Sequence, residues 1–187
     1  MFYNLCSPHL YIQRNGGKIK EDSVIVDAGV CEGNFALRYA DKAKRIYLIE
    51  SDIRWMEPLK RSFYDYRDKT ILVNKYLEGY NSSDTVTLDS IIEEKVDFLK
   101  MDIEGAEVKA LLGAKELLTR SRARCAICSY HRQNDEKYIR HILESYGYTT
   151  DVSSGYMFFI GDNAIADSMD FRRGIVYGWN TMNSGER

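Results

Sequence analysis

Acidic residues set at the ends of short apolar runs are the features of this chain that point most directly to chemistry. Asp27 closes the run Val24-Ile25-Val26, and a loop Asp27-x-Gly29-x-x-x-Gly33 follows, with a second acid, Glu32, inside it. Glu50 closes Ile46-Tyr47-Leu48-Ile49, and Asp102 closes the run from Val96 to Met101. Two glycines four apart let the backbone turn tightly and come close to a ligand. The spacing differs from G-x-G-x-x-G, whose glycines bring a helix amino end against a pyrophosphate. Carboxylates beside a pyrophosphate would repel it, whereas they suit a ligand with a cationic amine or sulfonium, and S-adenosylmethionine carries both. An acid at the tip of a second strand can chelate ribose hydroxyls. Glu50 would serve NAD equally well there, so it supports a ribose without choosing the cofactor.

These acids need a scaffold that brings strand ends together. Val24 to Val26 lacks polar alternation, as a strand buried on both faces does. The pattern Phe35, Ala36, Leu37, Tyr39, Ala40 predicts a helix straight after the glycine loop. Further along, a helix is expected around Pro58 to Tyr66, a strand at Thr70 to Lys75, a polar loop over Glu78 to Asp84 and a short helix within Thr85 to Glu94. The steps Val108, Leu111, Leu112, Lys115 and Leu118 predict one long amphipathic helix after the Asp102 strand. A strand at Cys125 to Tyr130, a helix at Asp135 to Tyr146 stopped by Gly147, and closing strands near Tyr148 to Val152 and Tyr156 to Ile160 complete the order. Alternating strands and helices predict a doubly wound α/β sheet, and Asp27, Glu50 and Asp102 should then converge on one crevice at its carboxyl edge. Glu104 and Glu107 read as helix-start acids that favour the positive end of the dipole.

At 187 residues and 44% hydrophobic, the chain can bury a core as a single domain, expected over about 20–160 with an extension at 161–187. A net charge of -2 gives no footprint for nucleic acid. No apolar stretch reaches the roughly 20 residues needed to span a bilayer, and Met1 to Leu10 lacks the plan of a signal peptide, so a cytoplasmic protein without a membrane partner is expected. Cys125 and Cys128 form a C-x-x-C, but residues three apart on a strand face opposite ways, so buried reduced thiols are expected. The tail from Gly161, with its apolar island Ile175-Val176-Tyr177, is compatible with a surface extension, a homodimer contact or a lid.

D-A-G-V-C-E-G, an acidic second-strand tip, V-T-L-D-S and K-M-D-I-E-G-A-E, in that order, resemble the FkbM family of S-adenosylmethionine-dependent methyltransferases. The resemblance runs over roughly residues 20–160. It implies a Rossmann-like class I methyltransferase sheet of seven strands, mostly parallel with the last antiparallel, and helices on both faces. It also implies methyl transfer to a hydroxyl of a sugar, glycan or polyketide-like small molecule. By motif, Asp27, Ala28, Gly29 and Gly33 would wrap the methionine part of S-adenosylmethionine, Glu50 the ribose, and Tyr76 and Leu77 would lie by the adenine. The loop differs from the commoner G-A-N-x-G form in having Val30, Cys31 and Glu32 at its centre.

An alcohol nucleophile has to lose a proton. His131, just past Ser129-Tyr130, stands where the family often has a histidine and is the candidate base; Asp102 is the other, as base or as orienter of the hydroxyl. Asp102 with Glu104 offers oxygen ligands, but no third ligand is evident, so no metal is expected. Asp102-Ile103-Glu104-Gly105 replaces the N-P-P-Y tetrapeptide of amine-directed nucleic-acid methyltransferases. Two further classes stay open: an NAD-dependent oxidoreductase, for which no tyrosine has an obvious lysine partner, and a non-catalytic S-adenosylmethionine-binding module.

Overall fold

The structure, a computed structural model, describes residues 10–12, 19–159 and 170–180. The elements follow the predicted alternation: β1 (Ser23–Ala28), α1 (Asn34–Tyr39), β2 (Ala43–Ile49), α2 (Met56–Ser62), β3 (Thr70–Val73), β4 (Tyr76–Leu77), β5 (Thr85–Val86), α3 (Leu88–Ile91), β6 (Phe98–Met101), α4 (Glu107–Leu112), α5 (Lys115–Ser121), β7 (Arg124–Cys128), α6 (Asp135–Ser145), β8 (Thr149–Val152), β9 (Met157–Phe159), β10 (Asp170–Arg172) and β11 (Ile175–Trp179). Seven strands form one sheet in the order β3-β2-β1-β6-β7-β11-β8. β1 pairs in parallel with β2 and β6, and β6 with β7, while β11 runs antiparallel to both β7 and β8. This is the expected doubly wound sheet with its last strand antiparallel.

Alternation along the strands sends side chains to two cores, as a sheet covered on both faces requires. Val24, Val26, Leu99, Met101 and Ile127 pack under Leu88, Leu111, Leu118, Ile139 and Leu143 from α3 to α6. Ile25, Ile46, Leu48 and Phe98 pack on the other face under Ala36, Met56, Leu59 and Phe63. Cys125 belongs to the first core and Cys128 to the second, so the C-x-x-C pair is split across the sheet. Both are buried, and burial pushes the Cys125 thiol up to about 12. Cys31, in contrast, is an exposed free thiol, because it sits in the loop after β1 and not in the core.

Two expectations are corrected. The single helix spanning Val108 to Leu118 is two, α4 and α5, broken at Gly113-Ala114. A Cβ on Gly113 would lie 2.4 Å from the Glu78 carbonyl oxygen, so the chain passes too close to β4 for a continuous helix with ordinary side chains. The carboxylate of Asp89 then caps the second helix, accepting from the Glu116 and Leu117 N–H groups at 3.1 and 2.7 Å. The second correction concerns the core, which does not end near 160. The apolar island Ile175-Val176-Tyr177 is β11, buried inside the sheet, while Met157–Phe159 leaves the sheet and pairs with β10 in a separate ribbon. An unbroken apolar run suits the doubly covered position, whereas Tyr156 and Phe158 are exposed.

Candidate functional site

The parallel strands β1, β2, β3 and β6 end on one edge of the sheet, and a crevice opens there, where ligands bind in open α/β sheets. Its lining includes Gly29, Glu50, Ser51, Tyr76, Leu77, Asp102, Ile103 and Glu104. Gly29 is held at φ +76°, and a Cβ there would lie 1.6 Å from the Asp102 carbonyl oxygen. Only glycine lets the loops after β1 and β6 meet backbone to backbone at the crevice floor.

Glu50 is 7% exposed. One carboxylate oxygen accepts from the Cys31 N–H at 3.0 Å and the other from the Asp52 N–H at 2.9 Å. Each oxygen keeps a further lone pair for a ligand hydroxyl, so the side chain is oriented without being used up. Tyr76 and Leu77, as β4, form the next wall, Leu77 buried and Tyr76 exposed.

Asp27, Ala28 and Gly33 do not line the crevice. Asp27 is fully buried and forms an ion pair with Lys100 at 3.0 Å, its register partner on β6. Burial pushes the Asp27 carboxyl up and the lysine pulls it back. The Lys100 ammonium also donates to the Gly29 carbonyl at 2.5 Å and the Ala28 carbonyl at 3.3 Å, so the pair fixes the turn from beneath. Ala28 lies in the core, and Gly33, at the start of α1, faces Phe63 and Leu59. The acids that do face the crevice are therefore Glu50, Asp102 and Glu104.

Three side chains from two parts of the chain reach Asp102. The Tyr11 hydroxyl donates to it at 2.7 Å and the Tyr130 hydroxyl at 3.1 Å. Burial is the main cause that pushes both phenols up, which keeps them protonated as donors. His131 Nε2 lies 3.4 Å from Asp102 Oδ1 and 3.5 Å from Glu104 Oε2, and its Nδ1 lies 3.0 Å from Glu107 Oε1. These approaches are close but off the line of an N–H bond: among the described residues neither ring nitrogen has a hydrogen-bond partner. Burial works against the imidazolium, but Glu107 first, then Asp102 and Glu104, outweigh it and raise the histidine above its ordinary value. The His131 loop is fastened from behind by Arg172 of β10, which donates to the Tyr130 and His131 carbonyls at 2.7 and 2.8 Å. His141 is exposed on α6, and His9 lies outside the described residues.

Glu107 differs from its sequence expectation. It does begin α4, but it is fully buried, with Oε1 accepting from the Ile103 N–H at 2.9 Å. Tyr11 and Tyr130 carry no motif, and Lys100, although it opens K-M-D-I-E-G-A-E, takes no role of its own from the sequence. A lysine and an aspartate near the ends of neighbouring parallel strands could have revealed the ion pair, whereas no sequence signal ties Tyr11 to Asp102, 91 residues away.

The fold is that of S-adenosylmethionine-dependent methyltransferases. The FkbM methyltransferase of Methylobacillus flagellatus superposes with a TM-score of 0.72 at 22% identity, over 92% of this chain and 47% of that one. This chain thus spans about half the length of that relative. Precorrin-6y C5,15-methyltransferase of Geobacter metallireducens gives a TM-score of 0.60 at 14% identity, covering 88% of this chain and 82% of that one. Streptococcus mutans SMU.1697c, crystallised in complex with SAH, gives 0.55 at 15% identity, covering 86% and 90%. A comparison with curated protein sequences returned no match. Residues 73–150 match the methyltransferase FkbM domain, and the V-T-L-D-S and K-M-D-I-E-G-A-E motifs both lie inside that stretch.

Proposed function

We propose that this chain is an S-adenosylmethionine-dependent O-methyltransferase acting on a hydroxyl of a sugar, glycan or polyketide-like small molecule. The observation that carries this reading is the continuity of one crevice, from Glu50, Tyr76 and Leu77 past Gly29 to Asp102, with His131 beside it. Its acidic lining fits a cationic ligand that also carries ribose hydroxyls. When bound, S-adenosylmethionine supplies a methyl group on a sulfonium, which an acceptor oxygen takes by in-line displacement while the electron pair of the broken bond passes to sulfur.

Glu50 accepts from the ribose hydroxyls, and Tyr76 with Leu77 packs against the base. Asp102 orients the acceptor hydroxyl, and His131 in its neutral form takes the proton as the oxygen–carbon bond forms. Most of the acceleration comes from holding oxygen and methyl carbon in line. Among the described residues no helix is long and apolar enough to cross a membrane, in keeping with a small or glycan acceptor reached from water.

The first test is calorimetric titration with S-adenosylhomocysteine and, separately, NAD. Micromolar binding of S-adenosylhomocysteine alone supports the reading, and binding of NAD alone overturns it. Glu50→Ala should weaken S-adenosylhomocysteine binding by about 1.5–3 kcal/mol, the magnitude of a charged hydrogen bond. His131→Ala should leave that affinity intact and lower turnover by about 10² or more on a hydroxylated acceptor. Normal turnover in that variant would remove His131 from the chemistry.

A further inference from the structure

Asp102, Glu107 and His131 come from the end of β6, the start of α4 and the loop after β7, and one donor atom from each lies within 4.8 Å of the others. Two of these side chains are almost shut off from water: that of His131 is 10% exposed and that of Glu107 0%. A buried polar atom is normally hydrogen-bonded. Here Glu107 Oε2 and both nitrogens of His131 have no hydrogen-bond partner among the described residues. Three carboxylates, those of Asp102, Glu104 and Glu107, stand within 3.5 Å of the imidazole nitrogens, and the first and last of them come from the buried side of the site.

We propose that Asp102, Glu107 and His131 bind a divalent cation at the inner end of the crevice. Two carboxylates neutralise one divalent ion, whereas an imidazolium proton would neutralise half of that charge. His131 offers one nitrogen to an ion, either Nδ1, 3.0 Å from Glu107 Oε1, or Nε2, 3.4 Å from Asp102 Oδ1, and with one donor atom from each residue within 4.8 Å of the others, side-chain rotation would close the three onto bonds of about 2.1 Å. Carboxylate oxygens with one imidazole nitrogen suit Mn²⁺ or a similar first-row ion. The ligands are themselves held: Asp102 by Tyr11 and Tyr130, Glu107 by the Ile103 N–H, and the His131 backbone by Arg172. Asp102 faces the crevice, so the ion has an open side toward an acceptor.

The role of the ion, though not its binding, rests on the methyltransferase reading. An acceptor hydroxyl on the ion loses its proton to solvent more readily, as metal-bound water does. With the ion bound, His131 serves as a ligand, and the proton that it would otherwise take goes to solvent. His131→Ala lowers turnover under either role, so metal binding has to be read directly.

The test is calorimetric titration of the chelator-treated full chain with Mn²⁺, without cofactor or acceptor, followed by electron spin echo spectroscopy of the loaded protein. The expected result is one Mn²⁺ per chain with a nitrogen coupling from imidazole. Glu107→Gln and His131→Gln should each weaken binding at least ten-fold, with unchanged affinity for S-adenosylhomocysteine. The spectrum of the wild-type protein decides the matter if either variant fails to fold. Absence of Mn²⁺ binding, or binding without nitrogen coupling, overturns the site. Because S-adenosylhomocysteine is titrated separately, its failure to bind would tell against the methyltransferase reading while the cation result stood independently.

Discussion

The side chain of Lys100 is 5% exposed, and its ammonium sits under the turn that shapes the crevice floor. Lys100→Met would leave Asp27 without its cation in a site sealed from water, at a cost of about 3–5 kcal/mol. Urea denaturation should show that loss, and the double variant Asp27→Leu/Lys100→Met should recover much of it, because a buried ion pair often stabilises no more than apolar residues of similar volume. Gly29→Ala is harsher: with its Cβ 1.6 Å from the Asp102 carbonyl, the β1 and β6 loops must separate. Soluble protein from that variant should have lost S-adenosylhomocysteine binding in calorimetry. Glu50 and Asp102 were legible because an acid that ends an apolar run marks a strand tip, and parallel topology puts such tips on one edge. Asp27 carried the same mark and points elsewhere, because its fate depends on which β6 residue lies opposite, and register is a tertiary property. The same limit hid Glu107, whose position at a helix start gave a sufficient local reason for an acid that in fact faces His131.

Among the elements, V-T-L-D-S shows how a motif can serve architecture. Thr87 caps α3 through the Ser90 N–H, and Asp89 two residues later caps α5 across the gap left at Gly113. Asp89→Ala should therefore destabilise the protein by about 0.5–2 kcal/mol, the usual loss for a removed helix cap, and Asp89→Asn should retain most of that stability. Denaturant midpoints of the two variants, compared at equal slope, would check this; equal loss in both would point to charge instead of capping. Apolar periodicity across residues 108–118 continues through the break because α4 and α5 bury the same side toward the sheet. Periodicity reports which side is buried and says nothing about whether the backbone between is helical. The cap that starts α5 comes from outside the helix, so the local sequence carried no start signal.

Across the whole molecule, the doubly wound sheet was legible from alternation and its antiparallel last strand from the family resemblance, and the identity of that strand was not. Two apolar segments competed for the place, Tyr156 to Ile160 and Ile175 to Tyr177, and the nearer one in sequence was the natural choice. The more distant one fits because it can be covered on both faces. Val176→Asp, at a fully buried position, should thus cost about 4 kcal/mol or more, while Tyr156→Ser on the exposed ribbon should stay within about 0.5 kcal/mol. Thermal melts of both variants would separate a sheet strand from an appendage. The position of β11 also sets a timetable. It fills the gap between β7 and β8, both made earlier, and its Tyr177 hydroxyl reaches back to the Leu10 carbonyl. During synthesis, β7 has one edge unpaired from the moment Cys128 is made until residues 175–179 emerge, and β8 waits without a neighbour to join. An open strand edge is a template for pairing with other chains. The nascent protein is therefore most prone to aggregate in that interval, and a slower ribosome there would prolong the exposure without helping the sheet to close.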